Sequence, residues 1–295
     1  MARVPDLDEA LGADLATLVR AVGTPLVDYV ALSQRGAPQR ATAFQLRFAD
    51  GRTCKGIYTL TARQAEQAAT IAAQLSHVAR ILDRCGAALL TEWVDGECLS
   101  VGAIPDEILR RCGALQAAVH ALPVPHADAP TPRDAVLACS RRLRGDLDNL
   151  AGGGALPGGE ADDIWATAAA HAPVDCTVGL ILGDFCAENI VHDADDRLTL
   201  IDIETLGIGA CEYDLARTWY RWPMSAVQRR VYLDGYDGAP AAAFVAHFPY
   251  WTLSALASGA VFRHRQRADT ISVPLDRLRT VMRALARGDA AIDGE

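Results

Sequence analysis

Residues 180–216, LILGDFCAENIVHDADDRLTLIDIETLGIGACEYDLA, gather the side chains best placed for chemistry. Asp184 and Asn189 stand five apart on a short loop behind the apolar run Leu180-Ile181-Leu182. Leu198-Thr199-Leu200-Ile201 then leads as a second strand into Asp202. The order is strand, carboxylate, amide, strand, carboxylate. Phosphoryl transfer asks for this set, because the protein must hold an accepting hydroxyl in line with a phosphate and keep a hard divalent cation on the phosphate oxygens. One carboxylate to orient and deprotonate, with an amide and a second carboxylate for the metal, meets both demands. Asp184 alone would read as a turn or capping residue; its company in strand context points to chemistry. Glu204, two residues beyond Asp202, either assists metal or substrate or sits solvated beside them.

These residues need a scaffold, and the chain changes character near residue 95, from strand-like segments to long helical patterns. A helix is expected over roughly 7–22. Residues 43–48 alternate as a half-buried strand, Asp50-Gly51 supplies a hairpin turn, and residues 53–58 form the returning strand. Residues 62–75 are rich in helix formers and can pack Ala65, Ala69, Ala72 and Leu75 on one face. Residues 87–90 run as a buried strand into Thr91-Glu92-Trp93-Val94-Asp95-Gly96, where the glycine marks a hinge. Beyond it a helix over 104–121 stops at Leu122-Pro123, and Gly152–Gly154 with Pro157–Gly159 form a loop between two helices. After residue 212 the pattern is helical, and ten of the eighteen aromatics fall between Trp219 and Phe262. This is an α+β layout with a small, mostly β lobe over 1–94 and a larger, mostly α lobe over 95–295.

Composition sets the partners. A net charge of −9 and a pI near 5.3 leave no clustered positive surface for nucleic acid. No stretch reaches the ~18 apolar residues of a membrane span, and the N-terminus reads as an amphipathic helix and not a signal peptide. Eight cysteines without a C-x-x-C pair suggest reduced thiols in a cytoplasmic protein. Residues 1–95 carry ten basic and ten acidic groups, so the whole acidic excess lies beyond them, where it would draw a cationic substrate or simply confer solubility. Of 28 lysines and arginines only Lys55 is lysine, on the second strand of the hairpin. A compact ammonium on a flexible stem reaches phosphate oxygens in a tight cleft more easily than a planar guanidinium.

Gly183-Asp184 with Asn189, followed by Ile201-Asp202-Ile203-Glu204, resembles the catalytic loop and metal strand of the aminoglycoside phosphotransferase and choline kinase family. The hinge LLTEWVDGE (89–97), the helix end LQAAVHALP (115–123) and Glu212-Tyr213-Asp214-Leu215-Ala216 agree, so the likeness touches most of the chain. The resemblance implies a two-lobed protein-kinase-like fold and a kinase moving the γ-phosphate of ATP, or of GTP, to a small-molecule hydroxyl, with antibiotic resistance one biological outcome. It implies Asp184 as catalytic base, Asn189 and Asp202 as magnesium ligands, and Lys55 as the phosphate-binding lysine with Glu66 its helical partner. Adenine would be held by backbone between Glu92 and Val94, and Asp214 would brace the catalytic loop.

Two positions depart from that family: Leu182 stands where a histidine is usual, and the loop Ser33–Arg40 has a single glycine. They motivate a second reading, a nucleotide-binding pseudokinase with a regulatory role. A protein kinase is a poor third, since no lysine follows Asp184 closely, no glycine follows Asp202, and no A-P-E element appears. His120 reads as a packed helix-end residue. Among the aromatics, Trp219, Trp222 and Trp251 are the candidates for a substrate wall. Oligomeric state is not legible.

Overall fold

Gly12 breaks the first helix in two. A computed structural model describes residues 6–34, 41–100, 102, 104–124 and 129–287, and in it the single helix expected over 7–22 is α1 (Leu7–Leu11) and α2 (Ala13–Ala21). Gly12 sits at φ +85°, and a Cβ there would stand 2.6 Å from the Tyr58 hydroxyl. That hydroxyl instead accepts the Leu15 amide at 3.1 Å, which fixes where α2 starts.

Contacts divide the chain into two units: Met1–Leu99 with Asn189–Gly207, and Ser100–Glu188 with Ile208–Glu295. The first is built on five antiparallel strands, β1 (Leu26–Gln34), β2 (Ala41–Phe48), β3 (Thr53–Tyr58), β4 (Ile81–Cys85) and β5 (Ala88–Glu92), in the order β1-β2-β3-β5-β4. The expected hairpin of 43–48 and 53–58 is β2–β3, and its Gly51 amide closes on the Phe48 carbonyl at 3.0 Å. Leu11, Leu15, Leu18 and Val19 pack against Phe44, Leu46, Phe48, Cys54 and Leu90, so α2 covers one face of the sheet. On that face a Cβ at Gly56 would meet Leu15 at 2.7 Å. Helix α3 (Ala62–Ala72), capped by the Thr61 hydroxyl on the Gln64 amide, buries Ala65, Ala68, Ile71 and Ala72. The chain returns to this unit as β8 (Ile190–His192) and β9 (Leu198–Leu200), which with β6 (Glu97–Cys98) form a three-stranded sheet. Leu200 ties that sheet to the stretch before β4, donating to the His77 carbonyl and accepting the Ala79 amide, each at 2.8 Å.

The second unit is mostly helical: α4 (Asp106–His120), α5 (Pro132–Gly152), α6 (Gly158–Ala170), α7 (Cys211–Arg221), α8 (Ala226–Tyr236), α9 (Ala239–Ala246), α10 (Phe248–Gln266) and α11 (Ser272–Ala286). Strands β7 (Val178–Ile181) and β10 (Gly207–Ala210) pair beside them. The expected α+β class, a mostly β N-terminal part with a larger helical part, is what the chain adopts. Helices α4 and α8 come unusually close, because Gly113 faces the Tyr232 carbonyl and Gly235 faces the Arg110 carbonyl with no room for a Cβ at either. The aromatic cluster forms the core of this unit. Trp219 packs edge-on against Tyr232 and Phe244, Trp222 against Tyr232, and Trp251 against Tyr250. No helix among the described residues is long and apolar enough to cross a membrane.

Candidate active site

In the first unit, strand alternation decides where Lys55 points. Cys54 belongs to the core under α2 and Gly56 touches Leu15, so Lys55, between them, leaves the sheet on the opposite face. It is paired to Gln45 on one side and Thr91 on the other, and it is 8% exposed. A buried ammonium needs an anion, and Lys55 Nζ finds the carboxylate of Asp202. The β8–β9 register, Ile190 opposite Leu200 and His192 opposite Leu198, carries on to a bond from the Ile201 amide to the Asn189 carbonyl at 3.0 Å. Asn189 and Asp202 therefore lie together at the open end of this hairpin. The expected loop and metal strand are two sides of one hairpin, which explains their spacing: the turn Asp193–Arg197 closes it.

Beside Lys55 is a 190 Å³ cavity walled by Leu32, Ala79, Val94, Val191 and Ile201. Glu92 also lines it, but its side chain turns to Arg80, accepting the amide at 2.9 Å and pairing with the guanidinium at 3.4 Å. The β5 ladder ends at Glu92, so the backbone of Val94 lies beyond it. Gly96, at φ +143°, passes the His192 carbonyl so closely that a Cβ would stand 2.6 Å from it. Glu66 does not meet Lys55. It lies on the outer side of α3, away from the buried alanines, and pairs with Arg84 at 3.3 Å. The expected Lys55–Glu66 pair is thus replaced by Lys55–Asp202, because residue 66 falls on the solvated face. Of the loop Ser33–Arg40, residues 35–40 lie outside the described residues.

In the second unit, Asp184 follows Gly183, whose φ is +70°. The loop is held by Asp214, fully buried in the first turn of α7: its Oδ1 accepts the Gly183 amide at 2.6 Å and its Oδ2 the Leu182 amide at 3.0 Å. Gln116 Nε2 donates to the same Oδ2 at 3.0 Å and His120 Nε2 lies 2.9 Å from it, both from α4. With that proton on Nε2, His120 Nδ1 accepts the Tyr236 hydroxyl at 2.6 Å. The close α4–α8 approach makes this network reachable, since it brings Tyr232 and Tyr236 over Gln116 and His120. Burial by itself raises the Asp214 pKa, but the hydrogen bonds from His120 and the two amides outweigh it and hold the carboxyl below its ordinary range. Leu182 is buried and acts here through its amide, so its apolar side chain does not leave the loop unbraced.

Two arginines of α7 reach the same loop. Arg217 Nε donates to the Gly183 carbonyl at 3.1 Å, and Arg221 Nε lies 2.9 Å from Asp184 Oδ1. They are four residues apart and so share a helix face. Sequence reasoning passed over both. The available signal was the spacing Asp214, Arg217, Arg221, which places all three toward the loop.

The profile of the phosphotransferase enzyme family matches residues 13–247. The chain belongs to this family. Comparison with curated protein sequences gives no match. Among solved structures, choline kinase LicA of Streptococcus pneumoniae aligns at TM-score 0.64 and 11% identity, covering 92% of this chain and 98% of that one. Macrolide 2'-phosphotransferase MphH of Brachybacterium faecium aligns at TM-score 0.56 and 17% identity, covering 98% and 96%. An aminoglycoside-3'-phosphotransferase of type VIII aligns at 0.51 and 21%, covering 78% and 97%. At such identities the likeness is one of fold, and it is the protein-kinase-like fold. In this phosphotransferase Trp222 and Trp251 are at most 3% exposed and belong to the core, so they do not wall an open pocket for a cationic group as one reading of the sequence had it; Trp219, as deeply buried, edges a cavity of 460 Å³, but beside Arg229 and Arg277, which do not suit a cation.

Proposed function

We propose that this phosphotransferase is a small-molecule kinase that transfers the γ-phosphate of ATP, or of GTP, to a substrate hydroxyl in the cytoplasm. The observation that carries the reading is the convergence of Lys55, Asn189 and Asp202 within one unit: the only lysine of the chain meets the carboxylate, and the amide sits beside it at the end of the β8–β9 hairpin. Residues 1–94 then supply the nucleotide contacts, with the base lying along the apolar cavity and against backbone between Glu92 and Val94. Residues 95–295 supply the catalytic loop and the acceptor contacts.

Asn189 and Asp202 suit magnesium, because both offer hard oxygen donors. No cluster of three His, Cys, Asp or Glu ligands occurs among the described residues, and magnesium bound with a nucleotide needs only one or two protein ligands. Bound there, the ion would neutralise charge on the phosphate oxygens. Lys55 orients the phosphates. Asp184 accepts the hydroxyl proton, and Arg221 fixes the carboxylate that does so. The pseudokinase alternative had two motives, Leu182 and the single-glycine loop Ser33–Arg40; the amide-held loop around Asp184 answers the first.

Acceptors to try are aminoglycosides, macrolides, nucleosides and choline analogues; resistance would follow where the phosphorylated hydroxyl belongs to an antibiotic. The acidic excess beyond residue 95 favours a cationic acceptor. The test is a screen for labelled γ-phosphate transfer from ATP and GTP to these classes, repeated with Asp184→Ala. Transfer should fall by about 10²- to 10⁴-fold in the variant while nucleotide affinity is kept. Tight nucleotide binding with no transfer to any class would replace the kinase by the pseudokinase.

A further inference from the structure

Arg221 is the last residue of α7, so the group that meets Asp184 stands where a helix frays. The carbonyls of such an end lack amides from their own helix. The Thr218 carbonyl closes on the Trp222 amide at 2.8 Å, and there the chain turns into an extended conformation. Trp219 would next need the amide of Pro223, which has none. Tyr220 would need the Met224 amide, and that is bonded to the Trp222 carbonyl at 2.8 Å. Arg277 of α11 supplies both missing donors. It donates through Nη1 to the Tyr220 carbonyl at 2.7 Å and through Nη2 to the Trp219 carbonyl at 2.8 Å, a pairing that suits the planar fork of a guanidinium. A positive charge is also favourable at the negative end of a helix.

The Tyr220 side chain is held from α10. It is 9% exposed and fills a notch at Gly259, where a Cβ would stand 2.4 Å from its Cζ. One turn further on, Arg263 Nε donates to its hydroxyl at 3.1 Å. The guanidinium groups of Arg217 and Arg277 each lie 5.8 Å from its ring centroid. Tyr220 is thus fixed at its ring, its hydroxyl and its carbonyl. A helix advances about 1.5 Å and turns about 100° per residue, so a residue pinned at 220 sets both the height and the heading of Arg221.

We propose that Tyr220 and Arg277 are positioning residues for phosphoryl transfer, locking the last turn of α7 so that Arg221 meets Asp184 in one geometry. The proposal rests on the reading of Asp184 as the base. Asp214 and Arg217 hold the backbone of the loop, and this third hold sets its carboxylate. Both new residues act through Arg221.

Transfer of labelled phosphate is compared in wild type, Arg277→Ala, Arg221→Gln and the double variant, each below its melting temperature. Arg277→Ala should lower kcat about 5- to 50-fold with nucleotide KM unchanged, since a misplacement of about 1 Å can cost on the order of 100-fold. In the Arg221→Gln background it should change kcat less than about twofold, because effects that pass through one contact do not add. Arg277→Lys, which keeps the charge but not the fork, should recover part of the loss. Tyr220→Phe keeps the ring in its notch and drops the Arg263 bond, so it should act in the same direction more mildly; it carries the comparison if Arg277→Ala fails to fold. Losses that multiply in the double variant would overturn the proposal, as would unchanged kcat in both Arg277→Ala and Tyr220→Phe. A second readout needs no turnover. The Arg221 Nε–H is buried beside Asp184 and should give a protected NMR signal, assigned by its loss in Arg221→Gln. Its exchange with water should quicken at least about threefold in Arg277→Ala and in Tyr220→Phe; unchanged exchange in both would overturn the proposal. Should the wild-type protein transfer phosphate to no acceptor, the kinase reading falls, and quickened exchange still upholds the lock on Arg221.

Discussion

Arg221 offers the sharpest test at the scale of single residues. It pairs with Asp184 at 2.9 Å through side chains only 31% and 24% exposed, so removing it should cost some stability as well. Its value to transfer should be larger, because a misplaced carboxylate loses alignment with the hydroxyl. Arg221→Gln is expected to lower kcat on the order of 10- to 100-fold with little change in nucleotide KM, and Arg221→Lys to recover part of it. Equal kcat in the Gln variant would remove Arg221 from the reaction. Lys55→Ala should weaken nucleotide binding and transfer together, and Lys55→Arg should not restore both, since the planar guanidinium must fit where a narrow ammonium meets Asp202. The residue types of this site were readable from spacing alone, because Asp184, Asn189 and Asp202 are near in the chain. Their partners were not. Glu66 and Asp202 both offer Lys55 a carboxylate, and only the facing of α3 decides between them.

Among elements, what was readable followed from periodicity, and what was missed followed from context. The β2–β3 hairpin and the helices after residue 212 carry strong patterns. The edge strands β1 and β4 do not: Val27, Val30 and Leu82 are exposed, so neither shows a clean alternation. The break at Gly12 depends on Tyr58, 46 residues away in the chain, which no local pattern could signal. The α4–α8 contact is of the same kind, and it has a measurable consequence. Gly235→Ala would push a methyl into the Arg110 carbonyl and separate Gln116 and His120 from Tyr232 and Tyr236. Overpacking of this sort costs about 1–3 kcal/mol, so the melting temperature should drop by several degrees and Asp214 should hold the loop less firmly. An unchanged melting temperature would mean that the two helices can slide apart freely.

For the whole molecule, acid is the telling variable. Asp214 is held ionised in the folded protein, below the ordinary value of 3.8. Its contribution is complete above that value and is lost as pH falls through the lower, folded-state pKa. Chemical denaturation between pH 7 and pH 2 should show this loss, and Asp214→Asn should flatten it while costing about 3–5 kcal/mol at neutral pH. The chain also returns to its first unit after an excursion of 89 residues, bringing β8 and β9 with it. A fragment of residues 1–99 lacks the partners of β6 and of the stretch before β4, and it should not melt cooperatively. One more consequence belongs to the lone lysine. A lysine-specific endoprotease has a single target in this sequence, the bond between Lys55 and Gly56. That bond lies in the strand flanked by β2 and β5, and a protease must draw several residues into an extended, unpaired form to cut it. Native protein should resist, and when nicked it should yield only two pieces, 1–55 and 56–295. The appearance of that pair on a gel is then a clock for the opening of one sheet, and ATP with magnesium should slow it.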